Sequence, residues 1–377
     1  MLRSSSSLAA VAAGAALLAG CGTASMSSDL DAGPVTPPSA PMADPMQVTT
    51  SAPKPSWAPD IDNQMWAVVD QLMSYGNVPY PQLTGFQARM EKTPTNAVTD
   101  LLLKNGVPPM APSVTIAHRK IPVGPSQGLL VRTYTPTSGS GPMPIIVYYH
   151  GGGWVIADLD TYEGGAMALA QKAGAVVVSV AYRQAPENPY PTAHDDAFAA
   201  YQWVTQNAAS LNGDPDRVAI AGESAGGNMA VATAIRARDE GARLPDAIIS
   251  VYPVADGDVQ SPSYDRYANA MPLNRGGMEW FFDNYTPDWR TQTYDWIDLV
   301  DADLSGLPPT TVINAQIDPL EAEGGDLAEA LDAAGVDVER EVYQGVTHEF
   351  FGMTPVLEQA GAAQDFAVER LMAAWGM

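Results

Sequence analysis

Val218-Ala219-Ile220-Ala221-Gly222-Glu223-Ser224-Ala225-Gly226-Gly227 is the stretch that decides the fold of this 377-residue chain. The apolar run Val218 to Ala221 reads as a buried strand, and a helical stretch over 225–240 follows it after a very tight turn. A serine on such a strand-to-helix turn needs small residues two positions either side. Gly222 and Gly226 supply them, so the backbone can fold sharply and lift the Ser224 hydroxyl out over a sheet. The same turn sets Ser224 at a helix N-terminus, whose dipole favours developing negative charge.

The same cadence repeats on either side. Ile145 to Tyr149, Ala175 to Val180, Ile248 to Tyr252, Thr311 to Ala315 and Val336 to Val342 read as strands, alternating with helical stretches over 161–173, 194–209, 320–334 and 356–374. Upstream, Val114 to Ile121 and Leu129 to Tyr134 flank a Gly/Pro/Ser turn and predict a hairpin. The pattern is that of an α/β protein with a mostly parallel eight-stranded sheet and helices on both faces. Ligands in such folds sit beyond the carboxyl ends of the strands, so the chemistry is sought there.

Directly after the strand 145–149 comes His150-Gly151-Gly152-Gly153-Trp154. Glycines here allow backbone N–H groups to approach a ligand oxygen that a Cβ would obstruct. The N–H groups of Gly151 and Gly152, with that of Ala225, are the expected donors of an oxyanion hole. Ser224 also needs a base, and the chain has four His. His118 lies within an early strand, His150 belongs to the glycine motif and His194 opens a helix; only His348 follows Ser224, in a loop after the last strand. The orienting acid is expected after the preceding strand, where Gln316-Ile317-Asp318-Pro319-Leu320 offers Asp318, with Asp256 and Asp258 as alternatives. The order Ser224, Asp318, His348 is that of an α/β-hydrolase triad. No second His lies at helical spacing from His348, so a metal site is not expected, and the triad requires no cofactor.

Together the motifs resemble the hormone-sensitive-lipase-like family of α/β-hydrolase esterases, from about Ile61 to the C-terminus. Tyr182-Arg183-Gln184-Ala185-Pro186-Glu187, with Pro189, Pro191 and Asp195-Asp196, is similar to that family's segment after its fourth strand, and Met278-Glu279-Trp280-Phe281 to its cap. The resemblance implies an α/β-hydrolase domain over 61–377 with a helical cap built from about 61–110 and the aromatic-rich insertion 256–300. It implies hydrolysis of short- to medium-chain carboxylic esters, with Trp154, Trp280 and Phe281 near the substrate pocket. Ala322 stands where many relatives carry an acid, and Asn188 where many carry His; both concern pocket detail and leave the triad complete. An amidase or peptidase would use the same three residues, and a lipid-anchored binding protein without catalysis is the non-enzyme alternative. Glu187 and Glu223, which flank the motifs, are read as structural carboxylates.

Composition narrows partners and location. Lys+Arg 19 against Asp+Glu 43 gives a net charge of −24, and the five Lys are scattered, so a nucleic-acid partner is not expected. The single Cys excludes an internal disulfide and a structural zinc site built on paired thiolates. It is Cys21, and Leu18-Ala19-Gly20-Cys21 closes a thirteen-residue apolar run that starts at Leu8 and is too short to span a bilayer. That run resembles the lipobox of bacterial lipoproteins. The resemblance implies a signal peptide over 1–20, cleavage before Cys21, a lipid anchor on its thiol, and export to the periplasmic or cell-surface side of a bacterial membrane. Residues 22 to 60 hold eight prolines and no apolar periodicity, so 21–60 is expected to be a disordered tether. Oligomeric state is not legible.

Overall fold

The computed structural model describes residues 45–107, 113–139 and 141–377. The expected signal peptide, Cys21 and the first part of the tether lie outside them.

The strands are β1 (Val114–Ile121), β2 (Leu129–Pro136), β3 (Met143–Tyr149), β4 (Val176–Ala181), β5 (Gly213–Glu223), β6 (Ile248–Val251), β7 (Thr310–Ile317) and β8 (Val338–Thr347). They form an eight-stranded sheet in the order β1-β2-β4-β3-β5-β6-β7-β8. β1 pairs antiparallel with β2, as the hairpin reading predicts, β2 pairs antiparallel with β4, and the other neighbours are parallel. β3 is buried at every position because both faces of the sheet are covered, whereas β1, at the edge, leaves His118, Arg119 and Lys120 exposed. Charged residues on an edge strand discourage pairing with another chain.

Ten helices accompany the sheet among the described residues: α1 (Asn63–Met73), α2 (Gly85–Ala88), α3 (Pro94–Lys104), α4 (Glu163–Ala173), α5 (Thr192–Asn207), α6 (Ala225–Asp239), α7 (Pro262–Arg266), α8 (Arg275–Tyr285), α9 (Glu321–Ala333) and α10 (Glu358–Ala374). Side chains alternate across a strand, and the two cores show it. Ile145, Val147, Val178 and Ile220 pack with α5, α6 and α9, while Ile146, Tyr148, Val177 and Ala219 pack with α4 and α10. None of these helices is long and apolar enough to cross a membrane.

Two boundaries differ from the sequence reading. The segment before Ile61 is not all tether. Met46 N–H donates to the Pro355 carbonyl at 2.8 Å, the Trp66 indole N–H donates to the Ala52 carbonyl at 2.9 Å, and Val48 is buried. An extended Pro-rich chain can bury isolated apolar residues without any periodicity, which is why the pattern was silent. Of the expected N-terminal cap, α1 and α3 bury Met65, Val69, Ala97 and Leu101 in the α4/α10 core. The stretch around residues 80–89 joins helix α8 of the insertion: Tyr80 stacks on Trp280 at 5.4 Å, and the Trp280 indole N–H donates to the Leu83 carbonyl at 3.1 Å.

The sheet order determines where a ligand can sit. From β3 the chain crosses through α4 to β4 on one side, and from β4 through α5 to β5 on the other. The carboxyl ends of β3 and β5 are therefore neighbours at the point where the winding reverses, the place where open α/β sheets bind their ligands.

Candidate active site

Ser224 leaves the end of β5 at φ 58°, ψ −121°, a conformation unfavourable for any residue with a Cβ. Its surroundings hold it there. Ser224 N–H donates to the Val251 carbonyl at 2.8 Å, and Asn228 N–H donates back to the Ser224 carbonyl at 3.0 Å as α6 begins. Two residues on, a Cβ at Gly226 would stand 2.0 Å from the Tyr149 carbonyl oxygen, so only glycine lets the elbow lie against the end of β3.

His348 and Asp318 arrive from the next strand ends. β8 runs to Thr347, so His348 follows it immediately, and Asp318 follows β7. Ser224 Oγ lies 3.0 Å from His348 Nε2, and His348 Nδ1 lies 2.6 Å from Asp318 Oδ2. A carboxylate can only accept, so Nδ1 carries the proton and Nε2 accepts from the serine hydroxyl. The Leu320 N–H donates to Asp318 Oδ1 at 3.0 Å and fixes the carboxylate plane. All three side chains are buried, with Ser224 4% exposed. Burial disfavours the imidazolium, yet the Asp318 charge and hydrogen bond, with the nearby Glu349 and Glu223 carboxyls, outweigh it and raise the His348 pKa. Asp256 and Asp258 lie elsewhere, in a cavity of about 410 Å³ beside Phe282, Trp289 and Asp298.

The glycine loop lies against this line. Among the described residues, none of the N–H groups of Gly151, Gly152 and Ala225 donates to a backbone carbonyl. The loop is clamped from behind: the Tyr182 hydroxyl sits 2.9 Å from the His150 carbonyl oxygen and 3.1 Å from that of Gly151, and its ring stacks on His150 at 4.2 Å. Burial pushes the His150 pKa down to about 4, so the ring is neutral packing near neutral pH. His194 is likewise pushed down to about 4 by burial, and lies between the Tyr285 hydroxyl (2.7 Å) and Asn228 Oδ1 (2.9 Å). His118 accepts from Arg132 Nε at 2.9 Å. Each of these three imidazoles is engaged away from Ser224.

Phe281 lies against the glycine loop. Its ring covers Gly153 so closely that a Cβ there would meet ring atoms at 2.2 Å, and Tyr80 packs on the same ring at 5.4 Å. Trp280 joins the same aromatic cluster. Trp154 does not line an open pocket: it is fully buried, stacked on Tyr285 at 4.8 Å. Its left-handed backbone, φ 60°, turns the ring inward beneath the cap. Glu187 pairs with Arg89 at 2.6 Å, and Arg89 also donates to the carbonyls of Val155 and Ala185, tying the N-terminal segment to the end of the glycine loop.

Tyr252, Tyr162 and Glu349 were given no role by the sequence reading, and Tyr182 only a place in the segment after the fourth strand, although all border Ser224, His348 or the glycine loop. Tyr182 and Tyr252 directly follow β4 and β6, and that position after a parallel strand was the available signal.

A family model described as alpha/beta hydrolase fold matches residues 146–352. A carboxylesterase of Mycobacterium tuberculosis, NlhH, is 39% identical over 262 residues, covering 68% of this chain and 82% of that protein. An ethyl acetate hydrolase of Pseudomonas putida is 35% identical over 252 residues, covering 64% of this chain and 78% of that one. Among solved structures, a thermostable esterase from Pseudomonas putida superposes with a TM-score of 0.76 at 31% identity, covering 84% of this chain and 98% of the other. The chain belongs to the α/β-hydrolase family, in its hormone-sensitive-lipase-like esterase branch. It is a carboxylic ester hydrolase.

Proposed function

We propose that Ser224 is the nucleophile, His348 the base and acid, and Asp318 the residue that orients His348, in ester hydrolysis through an acyl-serine. The observation that carries this is the unbroken line from Ser224 Oγ to His348 Nε2 at 3.0 Å and from Nδ1 to Asp318 at 2.6 Å. His348 takes the hydroxyl proton as Oγ attacks the ester carbonyl, and the oxyanion is held by the N–H groups of Gly151, Gly152 and Ala225. His348 then returns the proton to the leaving alcohol. Water, activated by the same imidazole, attacks the acyl-serine carbonyl and frees the acid.

The substrates are esters of short to medium acyl chains. Phe281 lying directly on the glycine loop supports a shallow site, and Tyr80 and Trp280 buttress it. Each methylene beyond the depth of such a site forfeits up to about 3 kcal/mol of transition-state binding. A series of p-nitrophenyl esters of increasing acyl length tests this: kcat/KM peaks among the short chains and falls steeply beyond. A maximum on long chains, or a faster rate on the matched anilide than on the ester, contradicts the reading.

The enzyme is held on a bacterial membrane by acyl chains on Cys21 after removal of residues 1–20. The lone Cys at the end of an export-type apolar run supports this. Cys21→Ser is expected to move the protein from the membrane to the soluble fraction with its esterase activity intact. Unchanged membrane fractionation refutes the anchor.

A further inference from the structure

Two carboxyl groups flank the triad in sequence, Glu223 before the nucleophile and Glu349 after the base, and the mechanism above uses neither. Glu223 is 1% exposed. Its two oxygens accept from the hydroxyls of Tyr148 on β3 and Tyr252 after β6. Glu349, half-buried, accepts from the Tyr162 hydroxyl at 3.0 Å. Tyr162 precedes α4, and its hydroxyl fills the space beside Gly151 that a Cβ would take, 2.3 Å away. The Tyr252 ring in turn lies 4.6 Å from the imidazole of His348.

This shell has an electrostatic peculiarity. Among the described residues, no Lys or Arg pairs with Glu223 or Glu349, although charges this buried are ordinarily matched by an opposite one. Tyrosine hydroxyls stabilise a carboxylate by donating, but they carry no positive charge. The cation that forms within reach of both carboxyls is the His348 imidazolium, which arises as Ser224 attacks.

We propose that Glu223, acting through Tyr252, and Glu349, adjacent to His348 in the chain, are positioning residues that form a second carboxylate support for the His348 imidazolium, and so set the pH at which the base becomes active. The inference rests on the triad reading above. The groups facing His348 are Asp318 after β7, Ser224 and Glu223 at the end of β5, Tyr252 after β6 and its neighbour Glu349. Those facing the two carboxyls are Tyr148, Tyr252 and Tyr162, with Tyr80 of the cap also within the field of Glu349. Burial pushes the Glu223 pKa up to about 7, against the hydrogen bonds of Tyr148 and Tyr252. His348 is raised as well, and each group lies in the field of the other, so their titrations are coupled and the acid limb of the activity profile belongs to the pair.

The sign follows from charge. A carboxylate near His348 holds its proton more tightly, so removing one lets the imidazole lose its proton at lower pH. Glu223→Gln and Glu349→Gln should each move the acid limb of kcat/KM to lower pH, by about half a unit. Active sites are counted in each variant with a fluorophosphonate, so that loss of folded enzyme changes amplitude and leaves the limb's position readable. Glu349→Gln, at the half-buried position, carries the test if Glu223→Gln does not fold. A limb that superimposes on that of the unmodified enzyme in the folded variants, with Ser224 labelled, overturns the inference alone. An unmodified enzyme that is not labelled at Ser224 overturns the triad reading, and this inference with it.

Discussion

Ser224→Ala is expected to lower kcat/KM for a short-chain ester by about five orders of magnitude while leaving the fold intact. The hydroxyl is the one group at the elbow that faces His348 Nε2, at 3.0 Å, and no other nucleophile in the described structure shares that base. Alanine bears the φ 58° conformation as serine does, and the hydrogen bonds that hold the elbow use only the backbone of residue 224. Thermal unfolding should therefore shift little, since the side chain is small and its only side-chain bond is to His348. Residual catalysis above the uncatalysed rate comes from the oxyanion donors and from binding, which the substitution leaves in place. The measurement is kcat/KM alongside a melting curve. More than about 1% of normal activity would place the nucleophile elsewhere.

The triad was legible because each of its members depends on local sequence. The elbow needs Gly222 and Gly226 around Ser224, and the strand cadence locates the turns that carry Asp318 and His348. Sheet architecture was legible for the same reason, since continuous apolar runs and helical stretches alternate from β3 to α10, broken by the insertion between β6 and β7. What stayed hidden depends on tertiary contact. Met46, Val48 and Ala52 look like tether because the pattern has no period, yet Met46 bonds to Pro355, Ala52 to Trp66, and Val48 is buried. Trp154 belongs to a motif that borders the site, but its left-handed backbone turns it toward Tyr285, and sequence pattern does not report such a dihedral. The tyrosine shell escaped notice because Tyr148 and Tyr162 come from the β3–α4 unit and Tyr252 from the end of β6, far along the chain, and only the assembled sheet brings them around Glu223 and Glu349.

Asp318→Asn should cost about 10⁴-fold in kcat with a much smaller change in KM. The substitution is nearly isosteric and can preserve the 3.0 Å bond that Leu320 N–H makes to the side-chain oxygen. With that oxygen retained, the amide group falls opposite His348 Nδ1 and donates where Asp318 accepted. Imidazole answers by placing its proton on Nε2, which then points a donor at Ser224 and can no longer take the hydroxyl proton. The pH profile separates this effect from simple loss of structure. Burial alone would depress the His348 pKa, and it is chiefly the Asp318 charge and hydrogen bond that raise it, so without them the imidazolium is less stable. The base then loses its proton at lower pH, and the acid limb of the residual activity must move down. Glu223→Gln moves that limb in the same direction but keeps the Nδ1 tautomer, so its kcat should stay far closer to normal. A fall in kcat for Asp318→Asn with the acid limb unmoved would mean that Asp318 holds the loop after β7 in place without acting on the charge of His348.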